Sequence, residues 1–537
     1  MPNNLLHLPY FSQRMPLVTS NGCVATSQPL AAQAGLAMLQ EGGTAVDAAI
    51  ATAAALTVLE PTSNGIGGDA FALVWDGTRL HGLNGSGRAP AALTVETVQQ
   101  AGYSSMPTHG WLTVTVPGAP AAWADLHARF GALPWAQVLQ PAITYAEQGH
   151  PVAPVVAHNW GRAVTEARLR SGAEYAGFLP TFAPGGTAPA AGERFVSTGH
   201  ARTLRRIAEY GARDFYVGET AQAIVQFVRD TGGLLTTDDL GAHRSTWVEP
   251  LSLTYRQHEV WELPPNGQGL AALLALGMLG EFDLTRWPRD SAEAYHVQIE
   301  AMKLAFADAY RYIADPEHEV VPVAALLDPA YLAARRALIG TMVQAPAPGQ
   351  LLPGGTVYLC TADRNGQMVS MIQSNFWGFG SGIVIPEWGI ALHNRGHGFT
   401  LDTGHPNVLA PGKRPYHTII PAFLTRQGQA VGPFGVMGGV MQPQGHVQVL
   451  VTMRDDGVNP QAARDAPRWR VEGAAVYVEH ATPRHVIEGL LARGHDVRIT
   501  TETGSFGYGR GQIIQRQPGG SYVAGSEPRC DGCAVGW

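Results

Sequence analysis

The sequence has few charged residues, almost no cysteine and no long apolar run. Asp, Glu, Lys and Arg make up 15% of the 537 residues, and 43 acidic side chains outnumber 36 basic ones for a net charge of −7. A mildly acidic chain without basic runs argues against nucleic acid as a partner. Four cysteines are too few to form a disulfide framework.

The sequence also lacks the segments that take a protein into or across a membrane. Its longest apolar run, Ala45–Leu59, is Ala-rich and is interrupted by Asp47. A bilayer needs about 20 apolar residues, so this shorter run predicts a buried helix. Residues 1–14 show no basic start followed by an apolar core, so they do not read as a secretory signal. We therefore expect a cytoplasmic protein without a membrane partner.

Periodicity and turn residues predict a globule that alternates helices with strands. With an apolar fraction of 45%, 64 Gly and 38 Pro, the chain can build a large core with many turns. Helix start and stop signals predict helices over 30–40, 45–59, 119–130 and 291–313. Strands are expected over 24–27, 70–75, 356–361 and 368–373, the last two as a hairpin around residues 363–366.

The stretch 345–355, rich in Pro and Gly, is the best candidate for a linker. A new β-unit begins directly after it, at Thr356. A threonine hydroxyl is a weak nucleophile, but a cut before Thr356 would free an α-amine that titrates near pH ~8 and can act as its base. Glycine at 354 and 355 would tolerate the strained backbone of such a cut. On local residues alone, a strand that starts with Thr after a linker remains the simpler interpretation.

Two glycine-rich segments could hold further parts of a catalytic site. Residues 373–382, which include Ser374 and Asn375, place hydroxyl and amide side chains beside a turn. Gly438 and Gly439 could aim successive N–H groups at one oxyanion. Ordinary tight turns are the alternative for both segments.

The histidines and the cysteine pair give weaker signals. His393 and His397 are spaced by four residues, but Gly396 between them favours a loop over a metal-binding helix. Cys530 and Cys533 form a single C-x-x-C pair, for which surface thiols are a simpler interpretation than a redox or zinc site.

Motifs in a fixed order along nearly the whole chain resemble the γ-glutamyltransferase (glutathione hydrolase) family of N-terminal-nucleophile hydrolases. The segments that carry the resemblance are 29–35, 42–51, 60–68, 116–118, 141–143, 300–303, 379–384, 412–415 and 438–439. The region around residues 437–446 is similar to the branch that contains oxamate amidohydrolase.

The resemblance implies an α+β fold, the four-layer αββα sandwich of N-terminal-nucleophile hydrolases, made as one precursor. It implies self-cleavage between Gly355 and Thr356 into a large portion, 1–355, and a small portion, 356–537, that share one joint domain. Thr356 would be the nucleophile, Ser374 would support its amine, and Gly438 and Gly439 would hold the oxyanion. No metal and no organic cofactor is implied.

Departures from the family pattern lie where the substrate would bind. Residues 86–90 read S-G-R-A-P, so Ser86 stands where the family has the arginine that binds the α-carboxylate, and Arg88 is displaced by two positions. Residues 393–399 carry no carboxylate for an α-amine, and the family's Ser-Ser pair is replaced by His417 and Thr418. The candidate substrate-binding residues are Arg88, Asn375, Arg395, His397, His417 and Thr418.

The function therefore stays open among three interpretations. The family-wide one is cleavage of γ-glutamyl amides such as glutathione, through an acyl-enzyme, with water or an amine as acceptor. Arg88, Arg395 and His397 instead suggest an acid without an amine, such as oxamate or a cephalosporin side-chain acyl group. The third is an uncleaved binding protein. We expect the two fragments of one precursor to form a heterodimer, and the pairing of two heterodimers stays open.

Overall fold

A computed structural model describes residues 14–344, 355–500 and 506–537. Its strands are β1 (Leu17–Thr19), β2 (Gly22–Thr26), β3 (Asp69–Trp75), β4 (Leu80–Asn84), β5 (His150–Pro151), β6 (Arg194–Phe195), β7 (Thr246–Val248), β8 (Leu251–Tyr255), β9 (His258–Glu262), β10 (Gly355–Asp363), β11 (Met368–Phe376), β12 (Val384–Ile385), β13 (Ile390–Ala391), β14 (Ala422–Arg426), β15 (Gln429–Met437), β16 (Trp469–Glu472), β17 (Ala475–Glu479), β18 (Asp496–Thr500), β19 (Arg510–Arg516), β20 (Tyr522–Ser526) and β21 (Cys533–Gly536).

The helices complete the secondary structure. They are α1 (Pro29–Gln40), α2 (Ala45–Leu59), α3 (Val95–Gln100), α4 (Ala119–Phe130), α5 (Trp135–Gln148), α6 (Pro154–Ala167), α7 (Phe178–Phe182), α8 (Thr198–Tyr210), α9 (Arg213–Val217), α10 (Glu219–Thr231), α11 (Thr237–Ala242), α12 (Gly269–Leu279), α13 (Ala292–Tyr312), α14 (Val323–Leu326), α15 (Pro329–Arg336), α16 (Met441–Arg454), α17 (Pro460–Asp465) and α18 (Arg484–Ala492).

Two seven-stranded sheets form the centre of the molecule. One runs in the order β1-β20-β19-β15-β14-β9-β8, and the other in the order β21-β2-β10-β11-β3-β4-β7. Side chains from both sheets share one apolar cluster, in which Tyr358 and Ile372 of the second sheet meet Phe423 and Ile514 of the first. The two sheets therefore pack face to face.

Helices cover the outer face of each sheet. One cluster joins α2, α4, α5 and α8 to the second sheet, and another joins α12, α13 and α16 to the first. The layers run helix, sheet, sheet, helix, which confirms the predicted αββα architecture.

Local sequence signals explain where the main helices begin. Thr44 and Asp47 form a capping box at the start of α2, whose 15 residues are all buried. The hydroxyl of Ser291 caps α13 by accepting from Ala294 N. The predicted helices over 30–40, 45–59, 119–130 and 291–313 are confirmed by α1, α2, α4 and α13 to within two residues. Among the described residues, none of the helices is long and apolar enough to cross a membrane.

The predicted hairpin that starts at Thr356 lies at the heart of the second sheet. Strands β10 and β11 pair antiparallel, and every residue of both is buried. β10 also pairs with β2, and β11 with β3. Of the predicted linker, residues 345–354 lie outside the described residues, and Gly355 already belongs to β10.

Candidate active site

The open end of the hairpin, where β10 begins and β11 ends, brings two hydroxyl groups onto one peptide carbonyl. Thr356 Oγ1 lies 2.7 Å from the carbonyl oxygen of Gly355, and Ser374 Oγ lies 2.9 Å from the same oxygen. The two hydroxyl oxygens are 3.0 Å apart. A β-bulge between Gly355 and Val357 produces this arrangement, because it displaces Thr356 from the regular ladder.

The end of β11 fixes Ser374 and leaves Asn375 available. The backbone N–H of Phe376 donates to Ser374 Oγ at 2.7 Å, and Phe376 itself has a φ of 75°, which is unusual for an aromatic residue. Asn375 is fully buried, and neither atom of its side-chain amide has a hydrogen-bond partner within the described part of the chain. A buried amide without partners is a candidate for contact with a substrate.

Arg395 is a buried cation with unused donors. Its guanidinium donates from one terminal nitrogen to Thr418 Oγ1 at 2.8 Å and lies over the ring of Phe376, 4.3 Å from its centroid. Nε and the other terminal nitrogen have no partner among the described residues. Burial lowers the pKa of Arg395 to about 9, against the opposing effect of Asp69, so the side chain stays cationic at pH 7. A desolvated cation of this kind suits a carboxylate.

Asp69 organises the side chains behind Arg395. One of its carboxylate oxygens accepts from His417 Nε2 at 2.9 Å, and the other accepts from the backbone N–H groups of Gly118 at 3.1 Å and Gly87 at 3.3 Å. Burial alone would raise the pKa of Asp69, but His393 and His417 outweigh it and hold the pKa well below its usual range. Asp69 is thus an ionised carboxylate whose lone pairs are already occupied.

His417 is neutral in this arrangement. Burial and the nearby Arg395 cation lower the pKa of His417 to about 3, although Asp69 acts in the opposite direction. Its Nδ1 lies 3.4 Å from the backbone N–H of Ile419, so Nε2 carries the proton that Asp69 accepts. His417 therefore fixes the backbone next to Thr418 and does not present a charge to the site.

Gly438 and Gly439 connect β15 to α16. They have φ values of 133° and 61°, which side chains other than glycine rarely adopt. The pair comes just before Met441, the first residue of a 14-residue helix, where the helix dipole favours negative charge. This position suits backbone N–H groups that would hold an oxyanion.

A cleft of about 1100 Å³ opens over these residues. Its lining includes Phe376, Thr418 and Val440, which adjoin Asn375, His417 and Gly439 respectively. Its aromatic walls are formed by Tyr103, His109, Tyr175, Tyr310, His397, Phe399 and Tyr416. Thr356 is fully buried, so the cleft does not expose its hydroxyl.

His397 lies in the aromatic wall of this cleft. Its ring centroid is 5.0 Å from that of Trp377, and its Nδ1 contacts the carbonyl oxygen of Pro107 at 2.8 Å. Burial lowers the pKa of His397. Its Nε2 has no hydrogen-bond partner within the described residues, so it is free to meet a substrate.

The structure does not bring Arg88 to this group. The Arg88 guanidinium bonds to Glu317 at 2.7 Å and to the carbonyl oxygen of Gly412 at 2.9 Å. Arg88 is also absent from the described residues that line the cleft. Its predicted role in substrate binding stays a prediction. Ser86 bonds to Asn84 at 2.7 Å and is fully buried.

Comparison with known proteins agrees with this geometry. The family model described as "Gamma-glutamyltranspeptidase" matches residues 31–537, which include every residue of the site.

The chain belongs to the γ-glutamyltranspeptidase family.

Relatives from several branches of this family cover almost the whole chain. The chain is 36% identical to the glutathione hydrolase-like YwrD proenzyme of Bacillus subtilis, over 96% of this chain and 98% of the relative. It is 35% identical to the oxamate amidohydrolase proenzyme of Klebsiella pneumoniae, over 97% and 99% respectively. The crystal structure of a cephalosporin acylase from Bacillus halodurans superposes with a TM-score of 0.95 at 53% identity, covering 99% of this chain and 98% of that one. The protein is thus an amidohydrolase/acylase of the γ-glutamyltranspeptidase family.

One group of side chains in the described part of the chain could hold a metal ion, and none of its members belongs to the γ-glutamyltranspeptidase site. His296, Glu300 and His495 place their ligand atoms within 4.8 Å of one another in a buried group. However, Lys303 Nζ lies 2.9 Å from Glu300 Oε1, and His296 Nδ1 lies 2.8 Å from His495 Nε2. The ammonium and the shared proton already satisfy these ligands, so a metal would have to displace both.

The cysteine pair also differs from the expectation. Cys530 and Cys533 are both free, but Cys530 is buried and its Sγ lies 3.7 Å from the carbonyl oxygen of Glu527. The prediction of surface thiols is therefore wrong for Cys530. Burial raises the pKa of its thiol above the ordinary range, so it is a poor nucleophile.

Sequence reasoning missed three contributors to the γ-glutamyltranspeptidase site. These are Asp69, Phe376 and Gln268, whose side-chain nitrogen donates to the carbonyl oxygens of Thr418 and Gly439. Asp69 directly follows the recognised segment 60–68, and Phe376 lies within the glycine-rich segment, so attention to neighbouring positions could have found both. Gln268 lies after P-P-N-G, where nothing local indicates chemistry.

Proposed function

We propose that the protein is a self-processing N-terminal-threonine amidohydrolase whose acyl donors end in a carboxylate and need no α-amine. The observation that carries this proposal is Arg395, buried beside Thr418 with donors that the described chain leaves unused. An anionic acyl group would complete its hydrogen bonding.

Processing would begin at the carbonyl that the two hydroxyl groups share. With Ser374 donating to the Gly355 carbonyl oxygen, Thr356 Oγ1 can attack the carbonyl carbon. The C–N bond between Gly355 and Thr356 breaks, and the hydroxyl proton passes to the nitrogen that becomes the α-amine. Water then hydrolyses the ester left on the Thr356 oxygen, which yields the portions 1–355 and 356–537.

The freed residue would then act on the substrate. Its α-amine takes the proton of the Thr356 hydroxyl, and the oxygen attacks the amide carbonyl to give an acyl-enzyme. Gly438 and Gly439 N–H groups would hold the oxyanion, and the amine product leaves with the proton. Water, or an amine acceptor, attacks the ester and releases the acyl group.

The cleft indicates the size of the amine that leaves. Protein pockets for small ligands usually measure about 300–1,000 Å³, and this cleft, at about 1100 Å³, is slightly larger than that. An ammonia leaving group, as in oxamate, would fill little of it. Together with the aromatic wall, this favours a bulky amine, in line with the cephalosporin acylase named above.

Cleavage of γ-glutamyl amides such as glutathione is the second candidate. Asp402 lines the cleft and is a carboxylate that an α-amine could contact. It lies in an exposed loop, where it accepts the backbone N–H of Gly404 at 2.9 Å. Asp69, the buried carboxylate, is occupied by its own donors and is not available.

Two p-nitroanilides that differ only in the α-amine distinguish the candidates. Glutaryl-p-nitroanilide carries the terminal carboxylate alone, and γ-glutamyl-p-nitroanilide carries the amine as well. We expect kcat/KM to be higher for the glutaryl compound and to fall about 10- to 150-fold in Arg395→Gln, the equivalent of one charged hydrogen bond. The methyl ester of the glutaryl compound, which has no charge, should be insensitive to Arg395→Gln. A preference for γ-glutamyl-p-nitroanilide, or an unchanged Arg395→Gln enzyme, refutes the proposal.

A further inference from the structure

Gln268 is a fully buried amide from the large portion of the chain that contacts three residues of the small portion. It precedes α12, and its side-chain nitrogen donates to the carbonyl oxygens of Thr418 at 2.6 Å and Gly439 at 2.8 Å. Its side-chain oxygen accepts from Tyr416 Oη at 3.0 Å. The two N–H donors of the amide are thus both used, and its orientation is fixed by the partners.

The two carbonyls that Gln268 holds belong to the two halves of the proposed site. Thr418 accepts from Arg395, the candidate partner of the acyl carboxylate. Gly439 belongs to the diglycine that would bind the oxyanion. A continuous series of hydrogen bonds therefore runs from Arg395 through Thr418 and Gln268 to Gly439.

The diglycine needs such an external constraint. Glycine has the widest conformational freedom of any residue, and both Gly438 and Gly439 have positive φ values. Their carbonyl groups also accept from the first turn of α16, since Met441 N donates to Gly438 and Gln442 N to Gly439. Gln268 adds the contact that ties this turn to the other half of the site.

We infer that Gln268 is a positioning residue, which sets the separation between the carboxylate-binding end and the oxyanion-binding end of the acyl pocket and so selects the length of the acyl chain. This inference rests on the proposed function. A displacement of about 1 Å at a reacting centre can lower a rate 10²-fold, so a single amide in this place can control which chain length reacts.

The test uses a series of acyl donors on the full, self-processed chain. Succinyl-, glutaryl- and adipoyl-p-nitroanilide differ by one methylene each, and kcat and KM are measured separately for each. Gln268→Met keeps the length of the side chain and removes the amide. We expect its kcat on the best wild-type substrate to fall about 10- to 100-fold with a much smaller change in KM, and its length preference to flatten.

Gln448→Met is the matched control. Gln448 is also a buried amide that bonds to backbone, to Trp469 O at 2.9 Å and Trp469 N at 3.0 Å, and Trp469 does not belong to the candidate site. The Gln448→Met variant should keep the wild-type preference for acyl-chain length. If Gln268→Met does not fold, Gln268→Asn retains an amide that is one methylene shorter, and it should shift the preferred acyl length rather than lower all rates together.

The outcomes separate the two proposals. If the wild type hydrolyses none of the three donors, the proposed function fails and this inference fails with it. If the wild type hydrolyses them and the Gln268 variants keep its length profile, or lose rate equally on all three donors, only the role of Gln268 is refuted.

Discussion

The hydroxyl oxygens of Thr356 and Ser374 lie 3.0 Å apart, and both contact the carbonyl oxygen of Gly355. Because this carbonyl precedes Thr356, the group that would attack and the bond that would break lie in one hydrogen-bonded cluster. The same cluster would later become the nucleophile of the mature enzyme.

We therefore predict that Thr356→Ala stays a single chain of 57.1 kDa and has no amidase activity. It removes the hydroxyl oxygen that would attack the Gly355 carbonyl, and leaves that of Ser374 in place. Thr356→Ser, which keeps that oxygen, should still be processed, although more slowly. A denaturing gel with mass determination of the fragments gives the answer. Two bands and normal turnover from Thr356→Ala contradict the mechanism.

Thr418→Val should weaken the binding of anionic acyl donors. The substitution keeps the shape of the side chain but removes the hydroxyl that accepts from Arg395, whose guanidinium then loses its described hydrogen-bond partner. We expect KM for glutaryl-p-nitroanilide to rise about 10-fold, as for the loss of one hydrogen bond to a charged group. Thr418→Ser retains the hydroxyl and should behave like the wild type. Equal KM values in the two variants would count against the contact.

Asp69→Asn should destabilise the protein by about 1–3 kcal/mol, the cost of leaving a buried hydrogen-bonding group without its partner. His417 Nε2 and the backbone N–H groups of Gly87 and Gly118 all donate to Asp69. In either orientation, the NH₂ group of the new amide would face one of these donors and could not accept from it. Asp230→Asn, at an exposed helical position, is a suitable control and should change stability by less than about 0.5 kcal/mol. Urea unfolding of both variants measures the difference, and similar values would refute the role of Asp69.

Glu60 should make stability depend on pH in a direction opposite to that of most carboxylates. Burial raises the pKa of Glu60 from 4.5 to about 7, although Arg510 and Ser27 lower it in part. Folding thus favours the neutral acid, so this contribution to stability is complete below pH 4.5 and is lost as the pH rises through 7.

The measurement compares melting temperatures of Glu60→Gln and the wild type from pH 5 to pH 8. The melting temperature of the variant relative to the wild type should increase with pH, because glutamine does not titrate. Glu281→Gln, at an exposed position, provides the control. A difference that stays constant or decreases over this range would show that Glu60 is ionised throughout.

The parts of the fold that local signals determine could be predicted. The capping box of Thr44 and Asp47 and the hairpin turn at residues 363–366 lie next to the elements that they define. The contact between Thr356 and Ser374 follows from that hairpin, since the two residues are 18 positions apart in sequence and lie on adjacent strands.

The parts of the site that depend on packing between layers could not be predicted in this way. Gln268 meets Gly439 across 171 residues, because α12 and α16 pack against the same sheet. Arg88 is the converse case. Its neighbours in sequence indicate a substrate contact, but Glu317, 229 residues away, occupies its guanidinium.

The interleaving of strands has a consequence for how the mature enzyme would hold together. In the second sheet, β2 of the large portion is inserted between β21 and β10 of the small portion. In the first, four neighbouring strands of the small portion are flanked on both edges by strands of the large one. Cleavage of the chain before Thr356 would therefore break one peptide bond, but the two fragments would stay associated through the shared sheets. Subunit exchange would require melting both sheets, so dissociation and denaturation would be one event.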